Sequence, residues 1–305
     1  VQIFLPIAEI PVDLFVVVGL GAAVGFIGGL FGVGGGFLMT PFLIFLGVPP
    51  AVAVASGSAQ IAASSTTAVL TYWRRRSIDL PLAAILTAGG VLGSLGGIAL
   101  FNQLKQLGQL DLVIQLAYVT LMLTIGSLML SEWLRALWRT RREPAQPPAR
   151  APSMIVGALP FKMHFARSNL TVSVLPLALL GVAIGFLGAL MGIGGGFMTV
   201  PALIYLFRVP ASIVVGTSML QILVTMMIST MLHAVTNGSV DVLLALLLTI
   251  GGVVGAQFGA RAGQNLRGGQ FRVLLALLVL SVGLRFAVEL VSPPEDPFSI
   301  IRSAV

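Results

Sequence analysis

Apolar stretches of roughly twenty residues, almost free of charge, recur along the chain at 14–32, 51–73, 80–101, 110–131, 172–192, 211–235, 240–260 and 273–291. About 20 apolar residues carry a helix across a bilayer core. Each stretch therefore predicts a membrane-spanning helix, and the chain is expected to be an all-α polytopic membrane protein. Two regions, 14–47 and 172–207, are too long for one straight crossing and slightly short for two. Each carries three consecutive glycines, Gly34-Gly35-Gly36 and Gly194-Gly195-Gly196. Successive glycines lose much backbone entropy in a helix, so the helix should break there, giving a re-entrant hairpin or a pair of short helices.

The two broken regions are copies of one another. Gly25-Phe26-Ile27-Gly28-Gly29-Leu30-Phe31-Gly32-Val33-Gly34-Gly35-Gly36-Phe37 returns as Gly185-Phe186-Leu187-Gly188-Ala189-Leu190-Met191-Gly192-Ile193-Gly194-Gly195-Gly196-Phe197, at an offset of 160. The correspondence continues through Pro41 and Pro201, Pro50 and Pro210, and Ser58 and Ser218, then after small slips through Asp79 and Asp241, and Gly93 and Gly255. A period of half the chain indicates a duplicated bundle, a form common among transporters. The expected organisation is an N-terminal transmembrane repeat over 1–131, a basic and Pro-rich cytoplasmic linker over 132–169, and a C-terminal repeat with a short tail over 170–305. Each repeat would hold one Gly-broken hairpin and three transmembrane helices. The linker contains Arg141-Arg142-Glu143-Pro144 and Pro147-Pro148 and reads as a tether, with Ile155–Arg167 suited to a short interfacial helix.

Charge decides the orientation of the repeats. Inverted repeats put 14 of the 17 Lys/Arg on one side and leave only Lys105, Arg285 and Arg302 on the other, whereas parallel repeats give 12 and 5. Cytoplasmic loops carry the excess of Lys and Arg, which favours inversion. The same placement disposes of nucleic acid as a partner despite a net charge of +7, since the cations sit beside apolar spans without interleaved aromatics. With 57% hydrophobic and 9% charged residues, a water-soluble fold is excluded. The lack of Cys excludes thiolate metal sites, disulfides and thiol redox chemistry, and no cofactor or metal is expected. No basic segment precedes the first apolar run, so a signal peptide is not expected in this chain.

Non-helical backbone at membrane depth is tolerated where it is buried in protein or lines a wet cavity, and the N–H groups of a helix restarting after the break can hold an anion. Gly34, Gly35, Gly36, Gly194, Gly195 and Gly196 are therefore candidate substrate contacts, close helix packing being the alternative. A phosphate loop is excluded because no Lys-Ser or Lys-Thr follows the glycines. Ser58 and Gln60 in one span, and Thr217, Ser218 and Gln221 in its partner, are the candidate side-chain contacts. A primary amide in hydrocarbon must find partners and usually faces the bundle interior. Neutral donors also desolvate less expensively than a buried Arg and so allow release. His233 is a candidate proton carrier, with a capping or interfacial role as its alternative. Gly89, Gly93 and Gly97, and Gly251, Gly255, Gly259 and Gly263, form small-xxx-small packing faces.

The doubled motif Gly28-Gly29-Leu30-Phe31-Gly32-Val33-Gly34-Gly35-Gly36 with Pro41, and Gly188-Ala189-Leu190-Met191-Gly192-Ile193-Gly194-Gly195-Gly196 with Pro201 and Gly216-Thr217-Ser218, resembles the sulfite exporter TauE/SafE family. The resemblance covers both halves; the first departs from the Thr-Ser pattern with Ala55-Ser56-Gly57-Ser58. It implies a secondary transporter, not an enzyme, that exports sulfite, sulfoacetate or a related sulfur-containing anion across a bacterial inner membrane. The partners would be that anion and the lipid bilayer, and a homo-oligomer is compatible with the sequence. The alternatives are a transporter of another small anion or an amino acid, and an intramembrane hydrolase using Ser229 and His233, which lacks an orienting acid and an oxyanion pair.

Overall fold

Where glycine, proline or aspartate interrupts the apolar runs, the helices begin and end. The computed structural model describes residues 2–31, 35–139, 162–165, 168, 170–207, 209–263 and 268–291. A short antiparallel hairpin, β1 (Gln2–Leu5) and β2 (Ile10–Asp13), leads into α1 (Leu14–Phe31), α2 (Gly36–Phe45), α3 (Pro50–Arg74), α4 (Leu80–Gln106) and α5 (Leu110–Arg139). The same order returns as β3 (Lys162–Phe165), β4 (Leu170–Ser173), α6 (Val174–Met191), α7 (Gly196–Pro201) with a π turn over Ala202–Leu206, α8 (Ala211–Asn237), α9 (Val242–Gly263) and α10 (Gly268–Val291). Among the described residues, Leu80–Gln106, Leu110–Ser131, Val174–Met191, Ile213–Asn237 and Val242–Gly259 are long and apolar enough to cross a membrane. The fold is a helical polytopic membrane bundle, as the patterning predicts. The hairpins were not anticipated, and β3 falls inside the segment expected to be a tether.

The described residues form two compact units. One, Leu112–Gln146 with Arg267–Val305, contains most of α5 and all of α10. Their contact is made by Tyr118 stacked on Phe286, with ring centroids 5.7 Å apart, and by Gly126 and Gly283, which admit Leu280 and Met122. The other unit, Val1–Asp111 with Pro147–Leu266, holds both hairpins, α1–α4 and α6–α9.

Within that larger unit the two repeats exchange helices. A Cβ added to Gly89, Gly93 or Gly97 of α4 would strike the carbonyl oxygen of Ala178, Val182 or Phe186 of α6. One added to Gly251, Gly255 or Gly259 of α9 would strike that of Val18, Ala22 or Phe26 of α1. Contacts advance four residues on each partner together, so the paired helices run in the same direction with their backbones touching, as small residues permit.

The offset between repeats is not constant. Helices α2 and α7 start 160 residues apart, at Gly36 and Gly196, whereas α3 and α8 start 161 apart, at Pro50 and Ala211, after the N-caps Pro49 and Pro210. The π turn Ala202–Leu206 takes up the extra residue, since an i→i+5 turn houses one more than an α turn. Two sequence pairings are thereby corrected. Pro210 corresponds to Pro49, and Ser58 and Ser218 are not equivalent; Ser56 pairs with Thr217, and Gln60 with Gln221.

Two buried aspartates tie these elements together. Asp79 caps α4 through Leu82 N–H (3.3 Å), its other carboxylate oxygen accepts from the N–H (3.1 Å) and hydroxyl (2.6 Å) of Ser168 in the β3–β4 turn, and its own N–H donates to Thr217 Oγ1 (3.1 Å). Asp241 repeats the arrangement, capping α9 through Leu244 N–H (3.0 Å), accepting from Ile7 N–H of the β1–β2 turn (3.0 Å) and donating to Ser56 Oγ (2.9 Å). Ile7 and Ser56 thus meet at one residue, so the chain leaving through α1 returns through α2 to the end from which it set out. The start of α3 lies beside the end of α8, and the start of α8 beside the end of α3.

Asp79→Ala and Asp241→Ala should each destabilise the fold by on the order of 2–4 kcal/mol, because a cap is lost and buried donors are stranded. Thermal unfolding in detergent measures this. Asp111→Ala, at an exposed acid in the first turn of α5, should leave the melting temperature nearly unchanged, and a similar melting temperature for all three variants would refute the assignment.

Candidate functional site

The glycine breaks place two helix starts back to back. Gly35 (φ 65°) and Gly195 (φ 75°) cap α2 and α7 in the left-handed region, joined by Gly192 (φ 72°) and Gly194 (φ 75°). L-residues with a side chain pay about 1–2 kcal/mol in that region, which accounts for the glycines. The first helical bonds beyond the caps are made by Leu38 N–H to Gly35 (3.2 Å) and Met198 N–H to Gly195 (3.0 Å). The N–H groups of Gly36, Phe37, Gly196 and Phe197 thus lie at the unpaired start of each helix. Phe37 and Phe197, exact repeat mates, stack face to face with centroids 4.6 Å apart and planes 12° apart. Ile61 fills the space a Cβ would need at Gly36 and Gly194. Gly34 lies outside the described residues.

Immediately before Ile61 in one half and Ile222 in the other, each repeat contributes a buried amide. Gln60 is 3% exposed and Gln221 fully buried. Gln221 Oε1 accepts from Thr199 Oγ1 of α7 (3.3 Å), but its Nε2 and the Oε1 of Gln60 find no protein partner among the described residues. Each amide lies over a glycine of the opposite repeat: a Cβ at Gly252 would come within 2.6 Å of Gln60 Nε2, and one at Gly90 within 3.4 Å of Gln221 Nε2. A buried polar atom without a partner costs about 1–3 kcal/mol, and such atoms in a native fold call for an explanation.

Gln60 and Gly35 line a cavity of about 490 Å³ between α1, α3, α8 and α9. The polar face of α3 forms one wall, through Gln60, Ser64, Thr67, Thr71 and Arg75, at spacings that keep one helical face. The facing wall is small and mostly apolar, with Val24, Gly28, Val253 and Ala256 beside Gln257. Across the repeat the corresponding space is filled. His233 is fully buried, its Nε2 3.0 Å from the Ala189 carbonyl, its Nδ1 3.3 Å from Asn237 Nδ2 and its ring edge-on to Phe101 at 4.6 Å. Both imidazole nitrogens are engaged, with Nε2 donating to Ala189 and Nδ1 accepting from Asn237. Ser229 Oγ makes no bond to His233, so no nucleophile–base pair exists there.

The sequence candidates divide accordingly. Gly35, Gly36, Gly194, Gly195, Gly196, Gln60 and Gln221 cluster around the break. The hydroxyls of Ser58 and Ser218 turn back to the carbonyls of Val54 (2.8 Å) and Val215 (3.1 Å) in their own helices, and Thr217 serves Asp79. Sequence reasoning missed Thr199, Gly90, Gly252 and the outer stripe of Thr71 and Arg75. The equivalent pairs Gly89-Gly90 and Gly251-Gly252 were the available signal for two of these, since one glycine of each pair serves helix packing and the other faces an amide.

A membrane bundle with broken helices meeting at buried, incompletely paired amides, and a cavity leading to them, defines a multi-pass transporter. The chain belongs to the sulfite exporter TauE/SafE family, whose sequence profile matches residues 17–286. It is 28% identical to the probable membrane transporter protein YjnA of Bacillus subtilis, over 87% of this chain and 96% of that protein. It is 26% identical to the probable membrane transporter protein YunE of the same organism, over 90% and 97%. Sulfite exporter TauE/SafE family protein 3 of Arabidopsis thaliana is 33% identical over 31% of this chain and 20% of that protein. No solved structure matches the chain.

The breaks yield a stability test. Gly195→Ala combines a left-handed φ with a clash against Ile184, whereas Gly47→Ala meets only the φ cost, since nothing lies within 4 Å of a Cβ at Gly47 (φ 85°). Gly195→Ala should lower the melting temperature clearly more than Gly47→Ala. Equal losses would mean that the tight packing at the break is not needed.

Proposed function

We propose that this protein exports sulfite, sulfoacetate or a related small sulfur oxyanion or organosulfonate across a bacterial inner membrane, with the anion held where the two glycine breaks meet. The observation that carries this reading is the duplicated pair Gln60 and Gln221, each buried with part of its amide unpaired, beside two helix starts whose N–H groups and dipoles favour negative charge. Neutral amides and backbone N–H groups hold an oxyanion without the tight grip of a buried cation, so that it can leave. Among the described residues no carboxylate lies at mid-span near the amides, which supports export without an Asp/Glu proton relay and leaves His233 as the residue to replace if flux follows a proton gradient instead. An inside-negative potential contributes about 2.3 kcal/mol per charge per 100 mV toward expulsion of an anion.

Export also requires a defined orientation, and we read the repeats as inverted. The crossed neighbours of α3 and α8 support this reading, as does Lys105 Nζ bonded to the carbonyl of Asn237 and the hydroxyl of Ser239, each at 3.3 Å. Those groups share one end of the bundle, remote from Arg74–Arg76. The chain is free of Cys, so single cysteines report sidedness directly. Leu107→Cys should label from outside and Arg74→Cys only from the cytoplasm; labelling of both from one side would sink the inverted reading. Pro147, expected on the cytoplasmic side, and Pro293–Phe298, expected outside, lie outside the described residues.

The function itself is tested in proteoliposomes by sulfite or sulfoacetate flux under an imposed potassium-diffusion potential. Flux should quicken when the destination is positive. Gln60→Ala and Gln221→Ala should each weaken substrate affinity by on the order of 1–2 kcal/mol, about one polar contact, with melting temperature little changed. Parental kinetics in both variants would remove the site, and competition by carboxylates or amino acids but not sulfur anions would replace the substrate class.

A further inference from the structure

Three consecutive arginines end α3, and the fold separates them. Arg74 and Arg76 line a pocket with Trp73, Ile78 and Leu80, whereas Arg75 lines the mouth of the 490 Å³ cavity. Arg75 is the C-cap of α3 and keeps right-handed helical backbone (φ −79°, ψ −1°), so it continues the stripe of Gln60, Ser64, Thr67 and Thr71 at the next helical position. Its side chain is exposed. The nearest acid in the sequence, Asp79, has both carboxylate oxygens committed to Leu82 and Ser168.

The second repeat lacks this feature. Moved by the structural offset, the stripe becomes Gln221, Thr225, Ile228, Leu232 and Thr236. The deep amide is kept, the outer wall turns apolar, and the cation gives way to a hydroxyl that donates to Leu232 O (2.7 Å). The space beside it is closed by Phe101 and His233, both fully buried. Two paths related by duplication thus share one centre but differ at the rim. One has an exposed guanidinium at the mouth of a low-dielectric cleft that focuses its field; at the other, the nearby Lys105 ammonium is already bonded to the Asn237 carbonyl and the Ser239 hydroxyl, each at 3.3 Å.

We propose that Arg75 captures the anionic substrate at one mouth only, making the apparent affinity for a sulfur oxyanion asymmetric across the membrane. The proposal rests on the anion-export reading. An anion entering at the Arg75 end is concentrated above a ladder of hydroxyls leading to Gln60, and one delivered to the opposite end meets Lys105 with its ammonium tied to Asn237 and Ser239 and no cavity-lining cation above the amide.

The test uses full-length protein in proteoliposomes, with orientation fixed by labelling Leu107→Cys, and follows sulfite or sulfoacetate flux started from each side. Arg75→Gln should raise the half-saturating concentration roughly three- to tenfold for flux entering at the Arg75 end. For an uncoupled carrier at zero potential the ratio of maximal rate to half-saturation is the same in both directions, so the maximal rate from the Arg75 end should rise in step while flux entering from the opposite side stays close to the parent. Arg75→Lys should restore most of the affinity, Arg74→Gln should match the parent, and added inert salt should shrink the difference between parent and Arg75→Gln. An unchanged half-saturation at the Arg75 end, an equal change from both sides, or a failure of Arg75→Lys to restore affinity would each overturn the capture role while leaving export intact. Absence of any sulfur-anion flux in the parent would overturn both readings.

Discussion

A carboxylate sealed from water must have its oxygens satisfied by protein donors, and this protein uses that demand twice. Asp79 and Asp241 are almost wholly buried, and each gathers a helix N-terminus, a hairpin turn and the third helix of the opposite repeat. Donors to an ionised acceptor are worth more than neutral pairs, and the helix dipole adds to them. Because Ser168 and Thr217 at Asp79, and Ile7 and Ser56 at Asp241, come from the opposite half, neither repeat can satisfy its own aspartate alone. The exchange of α1 with α9 and of α4 with α6 is fixed at these two points.

Between those anchors the helices approach until backbone touches backbone. The glycine rows at 89, 93 and 97 and at 251, 255 and 259 remove every side chain from the contact, which suits a bilayer, where lipid is as apolar as leucine and association depends on packing. Close approach has a second effect. Gly90 and Gly252 sit one position off those rows and bring the backbone of one repeat against the amide of the other, so the same pairing that assembles the bundle compresses the polar centre. The breaks at Gly35 and Gly195 are tolerated because protein, not lipid, surrounds them.

The two halves agree at this centre and diverge away from it. Phe37 stacks on Phe197 and Gln60 corresponds to Gln221, yet the wall of α3 is hydroxyl-rich and ends in Arg75 while that of α8 is apolar and locked by His233 against Ala189. The rims of α3 and α8 thus differ in chemistry around a shared core.

The sequence by itself determined the membrane class, the duplication and the positions of the breaks, because hydrophobic run length, glycine triplets and motif recurrence are local properties of the chain. Buried amides at Gln60 and Gln221 were legible for the same reason, since a primary amide inside an apolar span is anomalous wherever the span packs. The register of the second repeat was not legible: Ser58 and Ser218 align in the sequence, but a π turn over Ala202–Leu206 absorbs one residue and moves the equivalence to Ser56 and Thr217. Nor did the sequence reveal the hairpins, whose four-residue strands are shorter than any reliable period. Tertiary structure alone decided which hydroxyls face the cavity and which serve the backbone, and which arginine of three stands at its mouth. Those outcomes depend on helix rotation, which is set by contacts between residues far apart in the chain.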